Sequence, residues 1–366
     1  MDASRSFSDS YDQAREKFVA AATRGGAVVE KISLPERGPD GGALSTDIAL
    51  FGPRTADRVL VTISGTHGIE GFAGSGAQID WIERGEPARL PPGVAALQIH
   101  AINPYGFAWL RRVTQENVDL NRNWIDFTQT LPRNPGYEEL ADAICPADWS
   151  KDARSAADKT LLDYCARHGK VAWQMAISGG QYQHPSGMFF GGAGPTWSRR
   201  TQSQIFAEYL DNAAKVAIID FHTGLGPWGL GERIVPGSRA TREFERALRW
   251  YGIGVSSALD GTSTSAPISG DGLSASIRLL PHAEVTGVAL EFGTVPVERV
   301  VEALRADSWL HANCEPESSQ WREIKEQMRT AFYSDSSEWK GMIAIQALLA
   351  CRQAIGGLSA AGELLR

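Results

Sequence analysis

The sequence predicts an α/β fold: a single domain over residues 1–366, with helices flanking a mixed, mostly parallel central sheet. Three observations carry that prediction. Apolar runs rich in β-branched residues recur along the chain, as strands buried on both faces do. Helical patterns fill the intervals between them, and strands alternating with helices build parallel sheets. No linker-like stretch divides the chain, and 366 residues with 43% hydrophobic and 22% charged side chains suffice for a sizeable core.

The elements follow in order. Phe7, Tyr11, Ala14 and Phe18 fall at helical spacing over 7–24, and Gly25-Gly26 stops the pattern. Segments 27–34 and 43–51 read as short strands around a Gly/Pro turn at 38–42. The run 58–65 is a buried strand, followed by a Gly-rich turn and a helix over 72–83. A second buried strand, 94–103, is closed by Pro104-Tyr105-Gly106. The stretch 125–150, with Pro132, Pro135 and Pro146, reads as irregular, and an insertion is placed at 125–170. Two further strands are expected at 215–222 and 285–292, and helices at 153–168, 200–214, 240–251 and 296–310. The core then runs from about 45 to 315, with a helical C-terminal extension over 317–355 that breaks near 333–336. The loop from Gly179 to Gly192 reads as a surface connection, with a rim that contacts substrate as the alternative.

Composition excludes several functions. A net charge of -7 argues against a nucleic-acid partner, because phosphate binders carry the opposite sign. No stretch approaches the roughly 18–20 apolar residues of a bilayer span, so no membrane partner is expected. No basic segment followed by an apolar one opens the chain. Cys145, Cys165, Cys314 and Cys351 are far apart without CxxC spacing, so a reducing cytoplasm is expected. Any metal must then be held mainly by His and carboxylate.

The polar residues that stand out fall at strand ends. His67 and Glu70 follow strand 58–65, and Asn121-Arg122 come after strand 94–103. His222 ends strand 215–222, and Glu291 lies near the end of strand 285–292. In open α/β sheets ligands bind outside the carboxyl ends of strands, so these residues can converge on one crevice. A catalytic zinc takes three protein ligands and keeps a fourth position open. A His-x-x-Glu turn supplies two, and His222 is the best-placed third. Glu291, a carboxylate inside an apolar strand, is the candidate to accept a proton from water. Taken singly each has a plainer reading: His222 as a hydrogen-bonded strand-end histidine, Glu291 as half of a buried ion pair. The cluster Asn117-Val118-Asp119-Leu120-Asn121-Arg122-Asn123 reads as a hydrogen-bonded knot presenting one guanidinium, suited to a carboxylate. Gly71-Phe72-Ala73-Gly74-Ser75-Gly76 departs from the dinucleotide-binding glycine spacing, and no G-x-S-x-G elbow is present.

Together His67-Gly68-Ile69-Glu70, Asn103-Pro104-Tyr105-Gly106, Val118-Asp119-Leu120-Asn121-Arg122-Asn123, His222 and Glu291 resemble the zinc carboxypeptidase superfamily. That superfamily contains carboxypeptidase A and the aspartoacylase/succinylglutamate desuccinylase branch, and the chain looks like a bacterial subfamily of it. The match runs as islands over about residues 58–293. The resemblance implies a zinc-carboxypeptidase-like fold and one zinc ion per chain, held by His67, Glu70 and His222. It implies a hydrolase of amide bonds in which Glu291 activates water and later protonates the leaving amine. Asn121 and Arg122 would hold a substrate carboxylate, and Asp119 would orient His67. Arg112 would stabilise the oxyanion, with its neighbour Arg111 in the same stretch as a substrate contact. The substrate would be a peptide or an N-acyl amino acid; the alternatives are a dedicated N-acyl amino acid deacylase and a catalytically silent relative that binds metal or ligand. One departure concerns specificity: carboxypeptidases of this kind place a Tyr about twenty residues before the catalytic Glu, and here the sequence reads Ser-Gly-Asp-Gly-Leu at 269–273.

Overall fold

The structure, a computed structural model, describes residues 2–314 and 318–360. Its centre is one eight-stranded sheet. The strands are β1 (Val28–Arg37), β2 (Ala43–Phe51), β3 (Arg58–Ile63), β4 (Val94–His100), β5 (Lys215–Trp228), β6 (Gly231–Val235), β7 (Val255–Ser257) and β8 (Glu284–Gly293). They lie in the order β1-β2-β4-β3-β5-β8-β6-β7. The sheet is mixed and mostly parallel, as predicted. The central strands β4, β3, β5 and β8 all run parallel, so their carboxyl ends share one edge. The hairpin β1–β2 adds antiparallel to β4, and β6 adds antiparallel to β8.

Apolar residues cover both faces. Val61, Leu97 and Ile218 belong to one cluster with Ile205 and Phe206 of the helix Trp197–Tyr209. Leu60, Ala217 and Ile219 belong to the other, which includes Phe72 and Trp339. The chain enters and leaves this layer through capped helices: Ser10, Thr196, Thr241 and Ser336 each accept a backbone N–H at the start of their helix.

Three expectations need correction. The stretch 125–150 is not wholly irregular: Pro135–Ile144 is a helix, with Asn134 accepting from Tyr137 N at 3.0 Å. Pro135 occupies its first turn, where a missing N–H costs nothing. Secondly, the helix Ser337–Ser359 is long and apolar enough, by length and composition, to cross a membrane. In this fold it is a core element: Trp339, Ile343, Ala347, Cys351, Ala354 and Leu358 form a buried stripe against β5 and the helix Gly71–Glu83. Alanine-rich turns conceal that stripe in the sequence. Thirdly, the Gly179–Gly192 segment is tucked inward, with Gln181, Met188, Phe189 and Phe190 buried. Asp119 N donates to Phe190 O at 2.8 Å and Tyr182 Oη to Arg122 O at 2.6 Å.

Two motifs interlock by backbone contact. Gly68 N donates to Arg112 O at 3.1 Å and Ile69 N to Arg111 O at 2.8 Å. A Cβ at Gly68 would lie 2.0 Å from the carbonyl carbon of Gly106. Glycine is therefore required where the two turns touch. Gly68→Ala is expected to destabilise the fold by about 2 kcal/mol or more in urea unfolding. Gly341, with nothing within 4 Å of its virtual Cβ, is the control. Gly341→Ala should raise stability by about 0.5–1 kcal/mol through helix propensity.

Candidate metal centre

Each candidate side chain is delivered by a strand end or by the segment that follows a strand. β3 leads through Gly65, at φ +70°, into His67, and Gly68–Glu70 is one turn of 3-10 helix. β5 carries His222 and β8 carries Glu291. Their register sets the two residues side by side, on one face of the sheet. The segment after β4 supplies Arg112, Asp119, Asn121 and Arg122.

His67 Nδ1 lies 2.9 Å from Glu70 Oε1, and His222 Nδ1 lies 3.0 Å from Glu70 Oε2. The two Nδ1 atoms are 3.2 Å apart. One ligand atom from each of the three residues can be chosen with all of them within 4.8 Å of one another, and all three residues are buried. Thr223 N donates to Glu70 Oε2 at 3.1 Å and fixes that carboxylate.

The outer nitrogens are backed by carboxylates. His67 Nε2 is 3.3 Å from Asp119 Oδ1, and His222 Nε2 is 2.9 Å from Asp220 Oδ2. Asp220 is in turn held by the Thr66 hydroxyl, which donates to Oδ1 at 2.8 Å. Arg112 donates through Nε to Asp119 Oδ2 at 2.9 Å and through Nη1 to Glu70 Oε1 at 3.2 Å. Its Nη2 sits 2.8 Å from His67 Nε2, which therefore has two competing partners. When Nδ1 is the ligand atom, Nε2 carries the proton, and Asp119 is the partner able to accept it.

Charge explains the titration behaviour. Burial raises the Glu70 carboxyl, but the facing His67 and His222 outweigh it and hold the group below the usual range. Burial likewise opposes ionisation of Asp119, and Arg112, Arg122 and His67 reverse this. Glu291 goes the other way: burial, then the nearby Glu70, push it up to about 8. Leu225 N donates to its Oε1 at 3.0 Å, and no Lys or Arg among the described residues forms an ion pair with it.

These residues fit a divalent cation. Bonds of about 2.0–2.1 Å to a tetrahedral centre give donor separations of roughly 3.3 Å, near the spacings seen here. Two unprotonated imidazole nitrogens at 3.2 Å repel unless a cation or a proton lies between them.

His67, Arg112, Asn121, Arg122, His222 and Glu291 line a single cleft. Glu70 and Asp119 lie beneath it. Arg111 is not among the residues brought together there: its Nε donates to Asp307 Oδ2 at 3.1 Å and its Nη2 to Asn117 Oδ1 at 3.1 Å. Arg122 Nε and Nη2 both donate to Ser178 O, and Nη1 to Asn121 O at 2.9 Å. A guanidinium has five N–H groups, so two remain, one on each terminal nitrogen. Sequence reasoning missed Asp220, although Asp-x-His in a strand puts both side chains on one face. It also missed Trp173 and Ser178, which enter the site from the helix Lys170–Ser178 and carry no local signal, while Phe189 comes from the Gly179–Gly192 loop that the sequence offered as a rim. Asp220→Asn is expected to weaken metal binding by about 10–100-fold in a chelator competition, with little change in unfolding midpoint.

Comparison with solved structures returned proteins of similar shape at low identity. Carboxypeptidase A from Helicoverpa armigera is 12% identical with TM-score 0.45, covering 88% of this chain and 74% of its own. Murein-tripeptide amidase from Escherichia coli O157 is 16% identical with TM-score 0.35, covering 79% and 93%. Succinylglutamate desuccinylase from Chromobacterium violaceum is 15% identical with TM-score 0.36, covering 83% and 76%. No curated protein matches the chain in sequence. A family described as "Protein of unknown function (DUF2817)" matches residues 7–346, and the chain belongs to that family.

Proposed function

We propose that the chain is a zinc-dependent hydrolase of amide bonds, acting on a substrate with a free carboxylate. The substrate is the C-terminal bond of a peptide or the amide of an N-acyl amino acid. The observation that carries the reading is the buried His67–Glu70–His222 cluster with Glu291, Arg112 and Arg122 lining the same cleft. Two imidazoles and a carboxylate are a donor set that suits zinc. When bound, the ion would polarise the scissile carbonyl and make water more acidic.

The chain's own groups do the rest. The Glu291 carboxylate, oriented by Leu225 N, accepts a proton from the attacking water. As the carbon–nitrogen bond breaks, that proton passes to the departing amine nitrogen, leaving a carboxylate and an amine as products. A positive charge in the cluster opposes the burial that raises Glu291 and keeps it ready as a base at neutral pH. With His67 Nε2–H donating a hydrogen bond to Asp119, Arg112 Nη2 is free of His67 and can donate to the carbonyl oxygen as negative charge develops there. The two remaining N–H groups of Arg122 match the two oxygens of a carboxylate.

The test is a zinc-loaded screen of N-blocked dipeptides and N-acyl amino acids. Wild type is expected to hydrolyse members of at least one class. Glu291→Gln should lose about 10²–10⁴-fold in kcat while keeping its metal. No hydrolysis in either class by metal-loaded protein, or full activity in Glu291→Gln, overturns the reading.

A further inference from the structure

Arg112 and Arg122 bring two like charges to one cleft. Asp119 serves them unequally. Arg112 Nε donates to its Oδ2 at 2.9 Å, whereas Arg122 Nη1 stays 3.9 Å from its Oδ1, beyond a hydrogen bond. Burial works against the Arg122 charge, Asp119 supports it, and the nearby Arg112 opposes it. A ring faces both arginines. Their guanidinium carbons lie 5.3 Å (Arg112) and 5.5 Å (Arg122) from the centroid of Phe189. An aromatic face carries negative charge density and attracts a cation within about 6 Å. Phe189 is buried, lines the same cleft, and sits at φ +53°. A bulky side chain keeps that left-handed conformation only where its surroundings impose it. Here the loop imposes it. Gln181 N donates to Phe189 O at 3.2 Å, Gln181 Nε2 to Met188 O at 3.3 Å, and Asp119 N to Phe190 O at 2.8 Å. The same loop presses on Arg122 at Gly180, where a Cβ would meet Arg122 Cδ at 2.7 Å.

We propose that Phe189 is a positioning residue whose ring face holds both guanidiniums in the cleft without using their N–H groups. A hydrogen-bonding side chain at this place would occupy donors that a substrate needs. A ring attracts the charge and leaves the donors of Arg112 and Arg122 to a carbonyl oxygen and a carboxylate. An aliphatic side chain would fill the space without that attraction, and Arg122 would turn toward Asp119. The inference rests on the roles proposed above for the two arginines, and it names the residue that keeps them in place.

The test replaces Phe189 by monofluoro- and trifluorophenylalanine, which keep the shape of the ring and progressively withdraw charge from its face. Urea unfolding of the ligand-free protein is the first readout. The midpoint should fall in that order, by about 0.2–0.4 M for the trifluoro ring. A ring that only packs would hold or raise the midpoint, because fluorination makes it more apolar. Carboxylate binding is the second readout. Zinc-loaded Glu291→Gln protein is titrated by calorimetry with N-acetyl derivatives of glycine, leucine, phenylalanine, lysine and glutamate. The trifluoro ring and Phe189→Leu should weaken the derivatives that bind by about 3–10-fold, and Phe189→Tyr should restore them. Zinc content should be the same in every form. Indifference of either the midpoint or the affinity to fluorination overturns the inference and leaves the proposed function standing. A graded midpoint in a protein that binds none of the derivatives removes the proposed function and leaves the ring contact standing.

Discussion

Two imidazole nitrogens and a carboxylate, held within about one hydrogen-bond length of one another at the buried floor of a cleft, are the constraint around which the rest of the structure is arranged. Such a group of electron-rich atoms is costly to bury unless something positive joins it. Its surroundings reduce the cost in layers. Asp119 and Asp220 address the outer nitrogens, Arg112 reaches Glu70 and Asp119 together, and Thr66 and Thr223 hold the carboxylates in place. The sheet supports this by register. Because β3, β5 and β8 run parallel, His67, His222 and Glu291 emerge at one edge without any long side chain having to reach for its partner.

The central sheet was legible because its strands are buried on both faces, and continuous apolar runs mark such strands. The His67–Glu70–His222 cluster was legible because its members sit where those runs end. What escaped had no local mark. β7 is three residues long and β6 five, too short to show a pattern. The helix Pro135–Ile144 hid behind its prolines, one of which begins it. Asp220 looked like a polar interruption in a strand, and only the facing Thr66 and His222 give it a task. Arg111 and Arg112 are neighbours in sequence with similar local context, yet one turns to Asp307 and the other to the cleft. That divergence depends on the helix Val297–Asn313, nearly two hundred residues away, which no nearby residue announces.

The segment that follows residue 169 shapes the cleft more than its sequence suggested. The helix Lys170–Ser178 brings Trp173 and Ile177 to the wall, ties Gln174 Nε2 to Thr264 O at 3.3 Å, and offers the Ser178 carbonyl to Arg122. Arg122 is thereby held in one orientation while two of its N–H groups stay unspent. The stretch 269–273 has a similar office: Asp271 caps the helix Gly272–Leu279, and Gly270 lets the backbone press against Arg122.

The most direct measurement is metal content of the purified protein by elemental analysis, for wild type beside His67→Ala and His222→Ala. The account predicts about one zinc per chain in wild type, lost in both variants, as a site with three protein ligands requires. A wild-type protein that holds no metal even after incubation with zinc would contradict it, and the buried cluster would then need protons in place of a cation.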